Sequence, residues 1–190
     1  MAEPVNLESF VQRCFEQAWD LFKKDVVLYL LSGLIVLIIG GVTLGILMGP
    51  LVVGFIQIIR RRQKGEMPTA GEVFAGMQSF LPAFLATLIL GVAVILGSML
   101  FVLPGLIVAY IGMFTFHFIA FKNAPVGTAI AGSFGLIKDQ FAATLVLFVI
   151  VGILNGLGGA IMFGSFLTFP FGLLVLTVAF EKLTGHTEGA

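Results

Sequence analysis

Few side chains in this sequence could do chemistry, and their neighbours decide what kind. His117 is the one histidine inside an apolar stretch, five residues before Lys122, or about 7–8 Å from that charge at helical rise. An imidazole there could ligate a metal or carry a proton. No second His, Cys, Asp or Glu shares its helix, so the plainer reading is an interfacial or bundle-facing ring bonded to a neighbouring carbonyl. Replacing it by Phe is expected to leave folding and association nearly unchanged. Ser133 and Ser165 lack the Gly-x-Ser-x-Gly setting and the His/Asp partner that activate a serine. Cys14, the single cysteine, excludes an internal disulfide and a cysteine-based zinc site, and reads as a small hydrophobe. Asn155 reads as a turn or interhelical hydrogen bond, and Gln57 as interfacial. No catalytic, metal or cofactor site is expected.

The elements that would have to position such groups are hydrocarbon. Of 190 residues, 59% are hydrophobic and 11% charged, and the mean hydropathy is +1.13. A soluble domain carries about 45–50% apolar and about 25% charged residues. Ten Lys and Arg balance ten Asp and Glu, which removes the long-range attraction a nucleic-acid partner needs. The composition is that of an integral membrane protein.

The charges are clustered. Residues 26–59, 73–121 and 140–180 contain none, so apolar blocks of 34, 49 and 41 residues separate the charged segments. A span needs about 20 residues, so each block reads as a helical hairpin, the first one short. Small-residue breaks at Gly40-Gly41, Leu103-Pro104-Gly105 and Gly156–Gly159 mark the predicted tips. The expected fold is all-α and polytopic, one domain over 1–190, with spans near 26–41, 43–60, 80–102, 104–121, 140–157 and 160–181 in hairpins 26–60, 80–121 and 140–181. Every Lys and Arg then lies on one side, with both termini, and that side is cytoplasmic by the positive-inside tendency. Positions 64 and 186 are expected to be reachable only from there. Re-entry of the first hairpin without crossing would leave the same charge pattern. Residues 1–25 lack the apolar core of a secretory signal.

A short amphipathic segment precedes each hairpin, at 6–24, 69–79 and 125–138. In the first, Leu7, Phe10, Val11, Cys14, Phe15, Ala18, Leu21 and Phe22 form one apolar stripe, with Asn6 able to cap the start. That helix either lies on the membrane surface, with Trp19 at the entry point, or packs on the protein's own cytoplasmic face. Thr69 and Glu72 fit a capping box, and Pro125 suits a first helical turn. Aligning Trp19, Phe74 and Phe134 also aligns Lys23, Gln78 and Lys138, which suggests three parallel repeats of about 55–60 residues. Residues 184–190 are a tail.

Phe74-Ala75-Gly76 with Phe80-Leu81-Pro82, Leu103-Pro104-Gly105, and Ala129 followed by Ser133, Leu136 and Lys138 carry a resemblance. Over residues 10–183 the chain resembles the membrane domain associated with bacterial glycerophosphodiester phosphodiesterases and related stand-alone small membrane proteins. The resemblance implies a six-helix module of the bacterial inner membrane. The phosphodiesterase activity of that family belongs to a separate soluble domain and does not carry over.

Glycines spaced by four, Gly41, Gly45 and Gly49, then Gly152 and Gly156, predict close helix packing, within one bundle or between subunits. Pro50 and Pro170, inside second legs, predict a kink or local unwinding. Arg60, Arg61, Arg62 and Lys64 at the membrane edge either only set topology or, with Trp19, Lys23 and Lys24, hold anionic headgroups or a partner. The expected function is a non-catalytic packing, assembly or lipid-contacting module that works through its cytoplasmic face, alone, as a homo-oligomer or in a larger membrane complex. The alternative is a channel or carrier for a neutral or lipidic substrate, with a path lined by Ser98, Tyr110, Thr115, Ser165 and Thr168. A continuous polar cavity would favour the second reading, and a dry core the first.

Overall fold

A computed structural model describes residues 7–161 and 164–185; Asn6, His186 and the rest of the predicted tail lie outside the described residues. Every regular element among the described residues is a helix. In chain order these are α1 (Leu7–Lys24), α2 (Val26–Val42), α3 (Met48–Gln63), a 3-10 segment (Ala70–Ser79), α4 (Phe80–Leu100), α5 (Val102–Gly112), α6 (Thr115–Lys122), α7 (Val126–Asp139), α8 (Phe141–Ala160) and α9 (Ser165–Thr184).

Among the described residues, four stretches are long and apolar enough to cross a membrane: Ala70–Leu100, Val102–Lys122, Phe141–Ala160 and Ser165–Thr184. A fifth counts if α1 and α2, bent by 97°, form one broken span. Helices of this kind mark an integral membrane protein. Helix occurs within each of the six expected spans, but those over 43–60, 104–121 and 160–181 also contain non-helical residues, and the first hairpin falls short. Its legs have 17 and 16 residues, about 25 and 24 Å at helical rise, against roughly 30 Å of hydrocarbon.

The hairpins break elsewhere than at their glycines. Gly40 and Gly41 remain helical, and the first turn is Thr43–Leu47, where Leu44 and Gly45 take positive φ. Thr43 Oγ1 closes that turn by donating to the Ile39 carbonyl at 2.7 Å and accepting from the Leu47 N–H at 3.3 Å. The second break is the extended residue Phe101, so Pro104 falls in the first turn of α5, where no backbone donor is lost. α8 continues through Gly156–Gly159 to Ala160. Glycine is tolerated inside these helices because the segments have no water to turn to for backbone bonding.

Burial separates the two legs of each hairpin. The second legs carry most of it: α3 is buried without a gap from Gly49 to Ile56, α6 buries Thr115 and His117–Ala120, and α9 buries Gly172–Val175 and Thr177–Phe180. Of the first legs, α4 buries only Ala83 and Ala86. The inner legs touch one another, α3 against α6 and α9, and α6 against α9 through Phe180, whose ring meets those of Phe114, Phe118 and Phe121 at 5.0–5.8 Å.

The opening segments close this core into a ring. The 3-10 segment packs on α3, α7 on α6, and α1 on α9. Each thus rests on the second leg of the preceding unit, and the first unit rests on the last. Burial follows the aligned register: Trp19, Phe74 and Phe134 are 51%, 44% and 51% exposed, while the residues just before them, Ala18, Val73 and Ser133, are fully buried. The second opening segment is 3-10 where an amphipathic α-helix was expected. Its Thr69–Glu72 capping box is present, with the Thr69 N–H donating to Glu72 at 2.8 Å.

Candidate functional site

The charged ends of the helices converge on one face of the bundle. Arg60 lies over the Phe121 ring, 4.6 Å from its centroid. Arg61 pairs with Glu66 at 2.5 Å and with Glu72. Arg62 pairs with Asp25, tying the end of α3 to the α1–α2 joint. Gln63 Nε2 donates to Glu181 at 2.7 Å, which brings in the end of α9. Lys64 is the C-cap residue of α3. The arginine run is therefore engaged with the chain's own carboxylates and an aromatic face. It serves as a clasp among α2, α3, α6, α9 and the 3-10 segment, a role that the local sequence does not reveal.

The buried residues of α1, Phe10, Cys14, Ala18, Leu21 and Phe22, all lie on the predicted stripe. They dock on α9 and α8, so the stripe covers the protein's own face. Burial pushes the Cys14 thiol up to about 11. Trp19 stays half-exposed, edge-on to Phe171 at 5.9 Å and stacked on Phe22 at 6.1 Å. Lys23 pairs with Asp20 at 3.0 Å and stands 5.9 Å from the Trp19 ring, and Lys24 is exposed beside it.

His117 faces the bundle. Its Nε2 meets Thr177 Oγ1 of α9 at 3.2 Å, and its ring packs on Phe114 and Phe180. The expected bond to a carbonyl is thus a bond to a hydroxyl. Ser133 does more than allow close packing. It donates to the Ile111 carbonyl at 2.5 Å and accepts from the Phe114 N–H at 3.1 Å, closing the two-residue break between α5 and α6. That break interrupts the span predicted over 104–121. It carries no proline, and Gly112 before it is a weak signal.

The suggested polar path does not assemble. Tyr110 bonds Thr144 at 2.7 Å, Ser98 lies against Gly105, and Thr168 against Gly158. None of the five path residues lines a cavity of about 520 Å³ that opens between the helices. That cavity lies among the inner legs where α4 covers them, with Gly49 and Val52 of α3, Thr87 and Gly91 of α4, His117 of α6 and Leu173 of α9 among its lining residues. Thr87 and His117 are its polar side chains. Among the described residues, no three His, Cys, Asp or Glu side chains group as metal ligands would.

Of the predicted packing glycines, Gly49 meets a neighbour: an added methyl would strike the Ala83 carbonyl. Gly41, Gly152 and Gly156 face open space, and Gly45 belongs to the turn. The close approaches within the chain are made by others. Gly54 lies on the Val73 carbonyl, Gly76 on Pro50 and Gly54, and Gly33 on the Pro170 ring. Pro50 occupies the first turn of α3, because the turn before it ends at Leu47. No kink is required there, which corrects the expectation. α9 remains helical on both sides of Pro170 without unwinding. Searches against family models, curated proteins and solved structures found no match.

Proposed function

We propose that this protein is a non-catalytic integral membrane module that contacts lipid and packs or assembles with itself or a partner complex, working through its cytoplasmic interfacial face. Its six apolar segments form three hairpins in a bacterial inner membrane, with both termini and all Lys and Arg on the cytoplasmic side. The short first hairpin is accommodated by local thinning and by the burial of α3 in the bundle. The location rests on the charge asymmetry and the family resemblance.

One observation carries the reading. α1 turns by 97° from α2, so it lies along the membrane plane when α2 runs along the normal. Its apolar stripe is taken up by α9 and α8, which leaves Trp19, Lys23 and Lys24 exposed at the end that joins α2. An indole and two lysines in that place suit anionic headgroups. The arginine run, engaged internally, supports this face structurally.

Trp19 is the only tryptophan, so its fluorescence reports the contact directly. In proteoliposomes, brominated phosphatidylglycerol should quench it more strongly than brominated phosphatidylcholine. Replacing Lys23 and Lys24 by Gln, or adding salt, should remove the excess. Equal quenching by both lipids would defeat the interfacial reading. Cysteines at positions 64 and 44 should label from opposite sides of the membrane; labelling of both from one side would defeat the topology.

A further inference from the structure

We propose that Met113–Phe114 is a two-state hinge in which Ser133 of α7 and Thr115 of α6 compete for one backbone acceptor, the Ile111 carbonyl. Transfer of that carbonyl to Thr115 joins α5 and α6 into one helix and swings the α4–α5 hairpin relative to the inner legs. The hinge lies inside the bundle and is independent of the interfacial contact made by α1.

The other threonines show what is unusual at this point. Thr43, Thr87, Thr144, Thr168, Thr177 and Thr184 each donate to the carbonyl four residues back, at 2.7–3.2 Å. Away from water this local bond satisfies the hydroxyl. Thr115 is fully buried, yet its Oγ1 has no hydrogen-bond partner among the described residues. Its acceptor by the same rule is Ile111, and Ser133 already donates to that carbonyl at 2.5 Å. Buried hydroxyls are normally paired. An unmet one beside an occupied acceptor marks a choice between two arrangements.

The backbone step between them is small. Met113 is already helical, at φ −54° and ψ −39°. Phe114, at φ −100° and ψ 3°, departs from the helical values near −63° and −42°. Rotating Phe114 into the helix moves its N–H from Ser133 Oγ to the Tyr110 carbonyl and brings Thr115 Oγ1 to Ile111. Ser133, once released, can donate to the Ala129 carbonyl four residues back in α7. Both hydroxyls and the Phe114 N–H are then paired. The observed arrangement has a second latch in the Tyr110–Thr144 bond at 2.7 Å. Beyond that latch α5 is lightly tied, because its other buried residues, Gly105 and Gly112, lie against Ser98 and Leu90 of its own hairpin. Val108 and Gly112 line the cavity together with Leu173 of α9, so the swing reshapes it. Discrete alternative packings of this kind are how helices switch.

Spin labels at Leu103→Cys on α5 and Ile153→Cys on α8, in the full Cys14→Ala chain in nanodiscs, read the swing. Both sites are exposed, and residue 103 stands about 16 Å from the hinge at helical rise. One distance should dominate in the parent. Ser133→Ala should shift the population ratio about tenfold toward a second distance, as the loss of one hydrogen bond implies. Adding Thr115→Val should return it by a similar factor, since only the continuous helix gives that hydroxyl an acceptor. Tyr110→Phe should act in the same direction as Ser133→Ala. An unchanged distance in Ser133→Ala, or a double variant that stays shifted, would overturn the proposal. Should the labelled chain fail to fold, hydrogen exchange of the unlabelled protein decides. There Thr115→Val should speed exchange of the Phe114 amide about tenfold in the Ser133→Ala background and leave it unchanged in the parent. An equal effect in both backgrounds would overturn the hinge.

Discussion

Helix α3 has 16 residues, carries three arginines in its last turn and buries ten of its side chains or glycines. Its neighbour α4 has 21 residues, carries no charge and buries two. In water the order would be reversed, because burial of apolar area drives folding there. In lipid a leucine gains little by moving from acyl chains to protein, so contact between helices is selected by close fit and hydrogen bonding. α3 has that fit. Gly49 and Gly54 let the backbones of α4 and the 3-10 segment approach it, and the arginine clasp anchors its end. α4 presents Leu81, Leu88, Ile89, Val92, Ile95, Leu96 and Met99 outward instead. The same division holds between α9, with its long buried run, and α8.

The comparison breaks most visibly at Gly54. A Cβ there would fall on the Val73 carbonyl, with the Gly76 backbone of the same 3-10 segment beside it. Backbone faces backbone, so no side-chain rotation relieves the clash. Overpacking of a tight core costs about 1–3 kcal/mol, occasionally more, and Gly54→Val should exceed about 3 kcal/mol because two chain segments must separate. The expected result is loss of the monodisperse species in detergent, or a thermal midpoint too low to measure. A variant that melts like the parent would show that α3 is not held by backbone contact.

The division extends to the two sides of α1. Cys14 is fully buried on the stripe facing α9, and its thiol is pushed from its ordinary 9.0 to about 11. Only thiolate reacts with maleimide. A rise of about two pKa units lowers the thiolate fraction about a hundredfold at any pH below 9. Alkylation of Cys14 should therefore be at least about a hundredfold slower than that of Gln12→Cys on the exposed side of the same helix, and slower still through steric exclusion. The shift has a sign for stability: the buried thiol favours the folded state below pH 9, and that contribution fades as pH rises through 11. Equal alkylation rates at the two positions would show that α1 is not docked.

A smaller effect is expected at the clasp. Arg62 is 17% exposed and Asp25 35%, between a surface pair worth up to about 1 kcal/mol and a buried pair whose breakage costs about 3–5. Arg62→Gln should therefore cost about 1–2 kcal/mol. In a double-mutant cycle with Asp25→Asn, most of that loss should appear as coupling. A coupling near zero would return the arginines to the role of topology markers.

The sequence shows the apolar blocks, the α1 stripe and the Thr69–Glu72 capping box, because each is a local pattern over a few turns. It does not show which leg is inner, since that depends on what lies across the bundle. The partner of Arg62 is 37 residues away, and one partner of Arg61 is 11 away. The hairpin tips are misread for a different reason. Glycine in these helices relieves packing as often as it ends a helix, and Gly40, Gly41 and Gly156 do neither a turn's work nor a cap's. Ser133 is hidden because the break it closes, at Met113 and Phe114, has no breaker residue in it.

The smallest effect is expected at the outward glycines, and it bears on assembly. Gly41, Gly152 and Gly156 have nothing within 4 Å of a built Cβ. Leucine at each position should destabilise the monomeric protein by no more than about 0.5 kcal/mol, as surface substitutions do. The gain in helix propensity, up to about 1 kcal/mol for each glycine replaced, works in the stabilising direction. These same positions are where a second helix could approach most closely. Gly152 and Gly156 lie one turn apart on α8, an outer leg, with Ile153 and Leu157 exposed beside them. If the protein functions as a monomer, cross-linking in native membranes should be identical for the parent and for Gly152→Leu with Gly156→Leu. If cross-linked dimers vanish in that variant while its monomer melts unchanged, the outer legs have their own close-packed partner. The contrast between inner and outer helices would then be one between contacts within a subunit and contacts between subunits.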